Sequence, residues 1–135
     1  MRNDVDSIYR AYNAAENAHD VNATSLLVST HLSVTINGVA ELSSGADDDV
    51  ANAALFAAYP DYQREIVEIL STGDRGTVRW IMRGTPASGS DLPNLELSGC
   101  SVVQVRDGQL VSAHLYADMT ALRRILPRTD IRQGG

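Results

Sequence analysis

The chain has 135 residues, 44% hydrophobic and 21% charged, with a net charge of −6. This is enough for one globular domain with its own core, and the acidic balance disfavours nucleic acid or an anionic membrane as a partner. The single Cys100 excludes an internal disulfide, and all 11 basic residues are arginine, which excludes lysine Schiff-base chemistry and a P-loop.

Three histidines lack metal-ligand spacing, and neither a dinucleotide-binding glycine motif nor a nucleophile elbow is present. The chemistry left is that of carboxylate, imidazole, phenol and amide groups, so no metal and no cofactor is expected. No apolar run reaches the roughly 18 residues that span a bilayer. The polar start MRNDVDSIYR has no signal-peptide core, and a cytoplasmic location is expected.

Residues 4–19 are predicted to form an amphipathic helix, with Val5, Ile8, Tyr9 and Tyr12 on one face. Asp20 caps a second short helix ending near Ser29, with Leu26, Leu27 and Val28 as its apolar part. Residues 32–37 alternate as a strand turned by Asn37-Gly38. Asn37 reads as a turn residue or as an amide donor at a pocket mouth. After a loop over Ser43–Ala46, Asp47-Asp48-Asp49 complements the dipole of a third helix running to about Ala58. That helix is expected to bury Val50, Ala54, Leu55 and Phe56. Tyr59-Pro60-Asp61 ends it.

Strands follow over 62–71 and 76–85, the second with Val78, Trp80 and Met82 on one face. Pro86–Asn94 reads as a flexible crossover. Two β-branched runs then flank Asp107-Gly108, a strong hairpin signal. On the second of them His114, Tyr116 and Asp118 share one face, and Ala113, Leu115 and Ala117 share the other. A last helix is expected from Met119 to Leu126, stopped by Pro127. The domain is expected to span 1–127, with 128–135 a disordered tail. Helices first and antiparallel strands after argue for an α+β domain with a curved sheet around the helices. Tyr12, Phe56, Trp80 and Met82 are candidate walls of a pocket between the layers.

An ordered set of residues carries a family resemblance. It comprises Tyr12 and Asp20, Ala58-Tyr59-Pro60-Asp61, Val78-Arg79-Trp80 with Gly84-Thr85, Gly99, Val102-Val103, Val105-Arg106-Asp107-Gly108-Gln109-Leu110-Val111, and Asp118. In these the chain resembles the SnoaL-like polyketide cyclases of the nuclear-transport-factor-2-like superfamily. The resemblance implies a cone-shaped α+β barrel and often a homodimer. It also implies that Asp118 is the general acid/base. Many relatives carry a histidine after Gly-Thr, where this chain has Pro86, and His114 is the candidate substitute. Arg79-Trp80-Ile81 and Arg83-Gly84-Thr85 lack the aspartate of an Arg-x-Asp pair, which disfavours a two-aspartate epoxide mechanism.

The expectation is therefore a cofactor-independent acid–base enzyme acting on a small apolar or polycyclic carbonyl compound. The reaction would be intramolecular aldol cyclisation or proton-transfer isomerisation. Asp118 and His114 are the candidate catalytic residues, and Tyr12, Asn37, Phe56, Trp80, Met82 and Tyr116 the candidate ligand contacts. Two alternatives stand beside it: a non-catalytic binding module, and hydroxylation or epoxide opening.

Overall fold

The structure is a computed structural model, and it describes residues 4–125. Helix α1 (Val5–Asn17) is capped by Asp4, whose side chain accepts from the Ser7 amide. Its buried stripe holds Val5, Ile8, Tyr9, Tyr12, Asn13 and Glu16. Asp20 caps α2 (Val21–Leu26) by accepting from the Ala23 amide.

This second helix is shorter than its apolar content suggests. Strand β1 (Val28–Ile36) begins directly after it, and Leu26 is left exposed. The cause is not local: β1 lies parallel to β6, with Val28 opposite Leu110 and Ile36 opposite Leu115. A partner so distant in sequence leaves no trace in helical periodicity.

Asn37 and Gly38, at φ 51° and 85°, turn β1 into β2 (Val39–Leu42). Ser44 then caps α3 (Gly45–Ala58), accepting from the Asp47 amide. The buried face of α3 is Asp48, Ala51, Asn52 and Leu55, at the spacing i, i+3, i+4, i+7. Val50, expected inside, is 59% exposed, and Ala54 and Phe56 are half-buried. The helix is rotated from the expected setting because Leu55 anchors the inner face and carries Asp48 and Asn52 inward with it.

The remaining strands form one antiparallel meander: β3 (Gln63–Thr72), β4 (Arg75–Gly84), β5 (Leu95–Arg106) and β6 (Gln109–Ala117). Gly73, at φ 67°, opens the β3–β4 turn, and Asp107 and Gly108, at φ 52° and 77°, make the β5–β6 turn. The sheet order is β2-β1-β6-β5-β4-β3, mixed through the parallel β1–β6 pair. The architecture is the expected α+β class, a six-stranded sheet with three helices against one side.

Helix α1 is tied to the β3 edge by amide side chains. Asn13 and Asn17 both donate to the Arg64 carbonyl, at 3.1 and 3.0 Å, and Asn17 Oδ1 accepts from the Arg64 amide at 2.7 Å. Such pairing satisfies backbone groups that a helix packed on a sheet edge would otherwise strand. Val78, Trp80 and Met82 enter the core as their alternation indicates. After β6 the chain makes one 3₁₀ turn (Thr120–Leu122) in place of the expected longer helix, and Met119 and Leu122 drop onto the core. Leu126 and the tail from 128 lie outside the described residues.

Candidate functional site

Between the helices and the sheet lies a cavity of about 110 Å3. Its apolar wall comes from β1 (Val28, Leu32, Val34, Ile36), β6 (Leu110, Ala113, Leu115) and the 3₁₀ turn (Met119, Leu122). Its polar wall comes from the inner stripes of α1 and α3. Tyr12 Oη donates to Asp48 Oδ2 at 3.0 Å. Asn52 Nδ2 lies 3.2 Å from Tyr12 Oη and 3.3 Å from Asp48 Oδ2, donating to both. Phenol, carboxyl and amide thus form a closed triangle, with Asp48 and Asn52 one helical turn apart on α3.

Glu16 and Arg64 extend this cluster. They are 4% and 5% exposed, and Arg64 Nη2 stands 2.5 Å from Glu16 Oε1, in ion-pair contact though outside hydrogen-bond alignment. Tyr62 Oη donates to Glu16 Oε1 at 3.2 Å, and Arg64 Nε donates to Asn13 Oδ1 at 2.8 Å. The guanidinium carbon sits 5.3 Å from the Tyr9 ring centre and 5.7 Å from that of Tyr12, so cation–π attraction adds to the ion pair.

This environment moves proton affinities apart. Asp48 is 7% exposed, and burial, reinforced by the nearby Glu16 carboxylate, pushes its carboxyl up to about 7, despite the opposing Tyr12 hydrogen bond. Burial raises the Tyr12 phenol well above its ordinary value, and the Asp48 charge raises it further. Burial opposes the Arg64 charge, but Glu16 and the surrounding tyrosines hold the proton on it. At neutral pH the cluster therefore holds one carboxyl poised between its two forms, beside a phenol that keeps its proton and a neutralised ion pair. Perturbed groups of this kind in a cavity mark candidate acid–base sites. Among the described residues no group of three His, Cys, Asp or Glu side chains is placed to hold a metal ion.

Residues 9–113 match the model of the SnoaL-like domain, which covers most of the chain. The chain belongs to the SnoaL-like domain family. No curated protein sequence matches it at a significant level. Solved structures share the fold of this SnoaL-like domain. AclR from Streptomyces galilaeus, proposed to be a hydroxylase, superposes with a TM-score of 0.73 at 19% identity, over 87% of this chain and 76% of that one. A cystatin-fold protein from Novosphingobium aromaticivorans gives 0.72 at 20% identity, over 81% and 94%. An LEH-like epoxide hydrolase of M. tuberculosis gives 0.71 at 14% identity, over 89% and 86%. Identities this low show a common fold; the fold serves more than one chemistry.

The SnoaL-like fold distributes the expected site residues unevenly. Tyr12 and Met82 line the cavity. Asp118 does not: it is exposed past the end of β6, in a separate and more open outer groove beside Glu96 and Arg124. Its Oδ1 accepts from Thr120 Oγ1 at 2.6 Å and from the Thr120 amide at 3.1 Å, and these bonds hold its pKa below the usual value. That is the signature of a turn-capping carboxylate.

His114 and Tyr116 do share a face of β6, but it is the outer one, since Ala113 and Leu115 face the cavity. His114 Nδ1 pairs with Thr35 Oγ1 at 2.8 Å across β1, and Tyr116 is 48% exposed. Asn37 is committed to the backbone of β6, donating to the Ala117 carbonyl at 2.8 Å and accepting from the Ala117 amide at 3.2 Å. Phe56 stacks on His19 at 4.3 Å, away from the cavity. Trp80 is in the core behind the wall, and its Nε1 donates to Ser101 Oγ at 2.9 Å.

Asp48, Asn52, Glu16 and Arg64 were not singled out by the sequence. The helix-dipole reading of the acidic triplet suits Asp47, whose Oδ2 accepts from the Ser43 amide at 2.9 Å, whereas Asp48 beside it turns inward. The signal was there in the stripe stepped back from Leu55 through Asn52 and Ala51 to Asp48. The stripe Tyr9–Tyr12–Asn13–Glu16 on α1 has the same form.

Proposed function

We propose that this SnoaL-like domain is a cofactor-independent acid–base enzyme that moves a proton at the carbon next to a carbonyl, with Asp48 as the proton carrier. The observation that supports it most is the Asp48 carboxyl itself: buried at the cavity wall, bonded to Tyr12 and Asn52, and shifted up to about 7. A carboxyl of that affinity both accepts and returns protons near neutral pH. In the step envisaged, ionised Asp48 removes the α-proton as the electron pair moves into the carbonyl. The Tyr12 hydroxyl or the Asn52 amide donates to the developing enolate oxygen. Return of the proton at another carbon gives an isomer. Attack of the enolate carbon on a second carbonyl of the same molecule closes a ring, and the alkoxide formed there takes the proton back from Asp48.

Deuterium uptake into the α-carbons of cyclohexanone in D2O, followed by proton NMR, tests this. The expected result is protein-dependent exchange that Asp48→Asn abolishes and Asp118→Asn leaves unchanged. Exchange lost with Asp118→Asn and retained with Asp48→Asn would return the role to Asp118.

The reading includes a cytoplasmic homodimer. Leu70, Val102 and Tyr116, all exposed large apolar residues, lie on the sheet face turned away from the cavity, which supports cover by a second copy. Light scattering should give twice the 14.5 kDa chain mass, and a monomer mass at micromolar concentration counts against it.

A further inference from the structure

The cavity restricts what the acid–base centre can receive. Its volume of about 110 Å3 is of the same order as that of an engineered apolar cavity of about 150 Å3 that takes benzene. Pockets for drug-sized ligands run to about 300–1,000 Å3. The space therefore suits one small ring, and a fused ring system would have to displace the β1 and β6 side chains that wall it. Those side chains are close-packed on the far side by the sheet, and interiors resist such displacement.

Charge sets a second limit. Arg64 is the one basic residue in the described wall, and it is already matched by Glu16, both almost fully buried. A carboxylate entering here would shed its water beside Glu16 and Asp48 and find no uncommitted cation, an uncompensated cost. A ketone oxygen loses far less on desolvation, and it is reached by the Tyr12 hydroxyl or the Asn52 amide when that group turns from its bond within the triangle. The apolar wall of Val34, Ile36, Leu110 and Leu115 suits the hydrocarbon part of the same molecule.

We infer that the cavity takes an uncharged carbonyl compound the size of a single five- or six-membered ring and excludes fused-ring and carboxylate-bearing molecules. The use of the carbonyl rests on the acid–base reading of Asp48. The limits on size and charge rest on the cavity wall alone. The inference narrows the ligand expected from the family resemblance, which reached to polycyclic compounds.

Binding is read with methyl-labelled protein at pH 8, titrated separately with cyclohexanone, cyclohexanecarboxylate and 1-tetralone. Cyclohexanone should shift the methyl signals of Ile36, Met82 and Leu115. Cyclohexanecarboxylate and 1-tetralone should bind at least tenfold more weakly at those signals. Ala113→Leu, which grows a side chain into the cavity, should weaken cyclohexanone at least tenfold. Ala51→Val does the same from the helix side if the strand variant fails to fold. Equal or tighter binding of the carboxylate or of the fused ketone overturns the inference, as does cyclohexanone that leaves those methyls unmoved. Cyclohexanone that binds without Asp48-dependent exchange overturns the acid–base reading and leaves the size and charge limits standing. Asp48-dependent exchange of 1-tetralone with tight binding does the reverse.

Discussion

Asp48→Asn is expected to lower protein-dependent α-proton exchange by about 10²- to 10⁴-fold, the usual contribution of a positioned general base. The substitution keeps the shape of the side chain and an oxygen to accept from Tyr12, so binding of the ketone should change little. In the unsubstituted protein the rate should rise with pH and level off above about 7, because the ionised carboxyl does the work and its affinity lies there.

Stability should move the other way. The folded state holds the Asp48 proton more tightly than the unfolded chain, where the ordinary value is 3.8. Between that value and about 7 the folded state binds more protons, so this group makes stability fall as pH rises through the window. Below the window the carboxyl is protonated in both states and contributes no difference. The asparagine carries no charge at any pH. At pH 8 Asp48→Asn should therefore be more stable than the unsubstituted protein, by on the order of 2–4 kcal/mol, with little difference near pH 4. Urea unfolding of both at the two pH values reads this directly. A variant that loses stability at pH 8 would show Asp48 to be a structural anchor.

The second large effect concerns Glu16 and Arg64. Arg64→Met should cost about 3–5 kcal/mol, because it leaves the Glu16 carboxylate buried without a cation. The double variant Glu16→Gln, Arg64→Met should recover most of that loss, since the penalty belongs to the unpaired charge. Glu16→Gln alone should also lower the Asp48 midpoint, because Glu16 is one of the groups holding that proton on. The acid limb of the exchange profile should then move to lower pH. Packing effects alone would change the stability and leave the limb where it is.

Much of the fold is legible because short-range chemistry dictates it. Asn37-Gly38, Gly73-Asp74 and Asp107-Gly108 all adopt the left-handed backbone their turns require at one position or both, and the strands follow from them. Val78, Trp80 and Met82 alternate into the core as written. The site is less legible, for identifiable reasons. Strand alternation tells which residues share a face but not which face is inside. On β6 the small apolar set of Ala113 and Leu115 faces the cavity, and the chemically richer set of His114 and Tyr116 faces outward. Asp118 falls just past the last paired residue of that strand, so its side chain answers to the following turn. On α3 the aspartate that is buried at the cavity stands between two others. Only the register set by Leu55 separates Asp48 from Asp47 and Asp49. Arg64 reaches the site from β3, where Arg64 and Glu65 stand side by side and nothing in the sequence says which of the two turns inward.

The most direct measurement is a carbon-detected NMR titration of the Asp48 carboxyl, assigned by its disappearance in Asp48→Asn. The expected midpoint is near 7, falling in Glu16→Gln. A midpoint at or below the ordinary carboxyl value would mean that Asp48 is held as a fixed charge by its hydrogen bonds, and would contradict its role as the proton carrier.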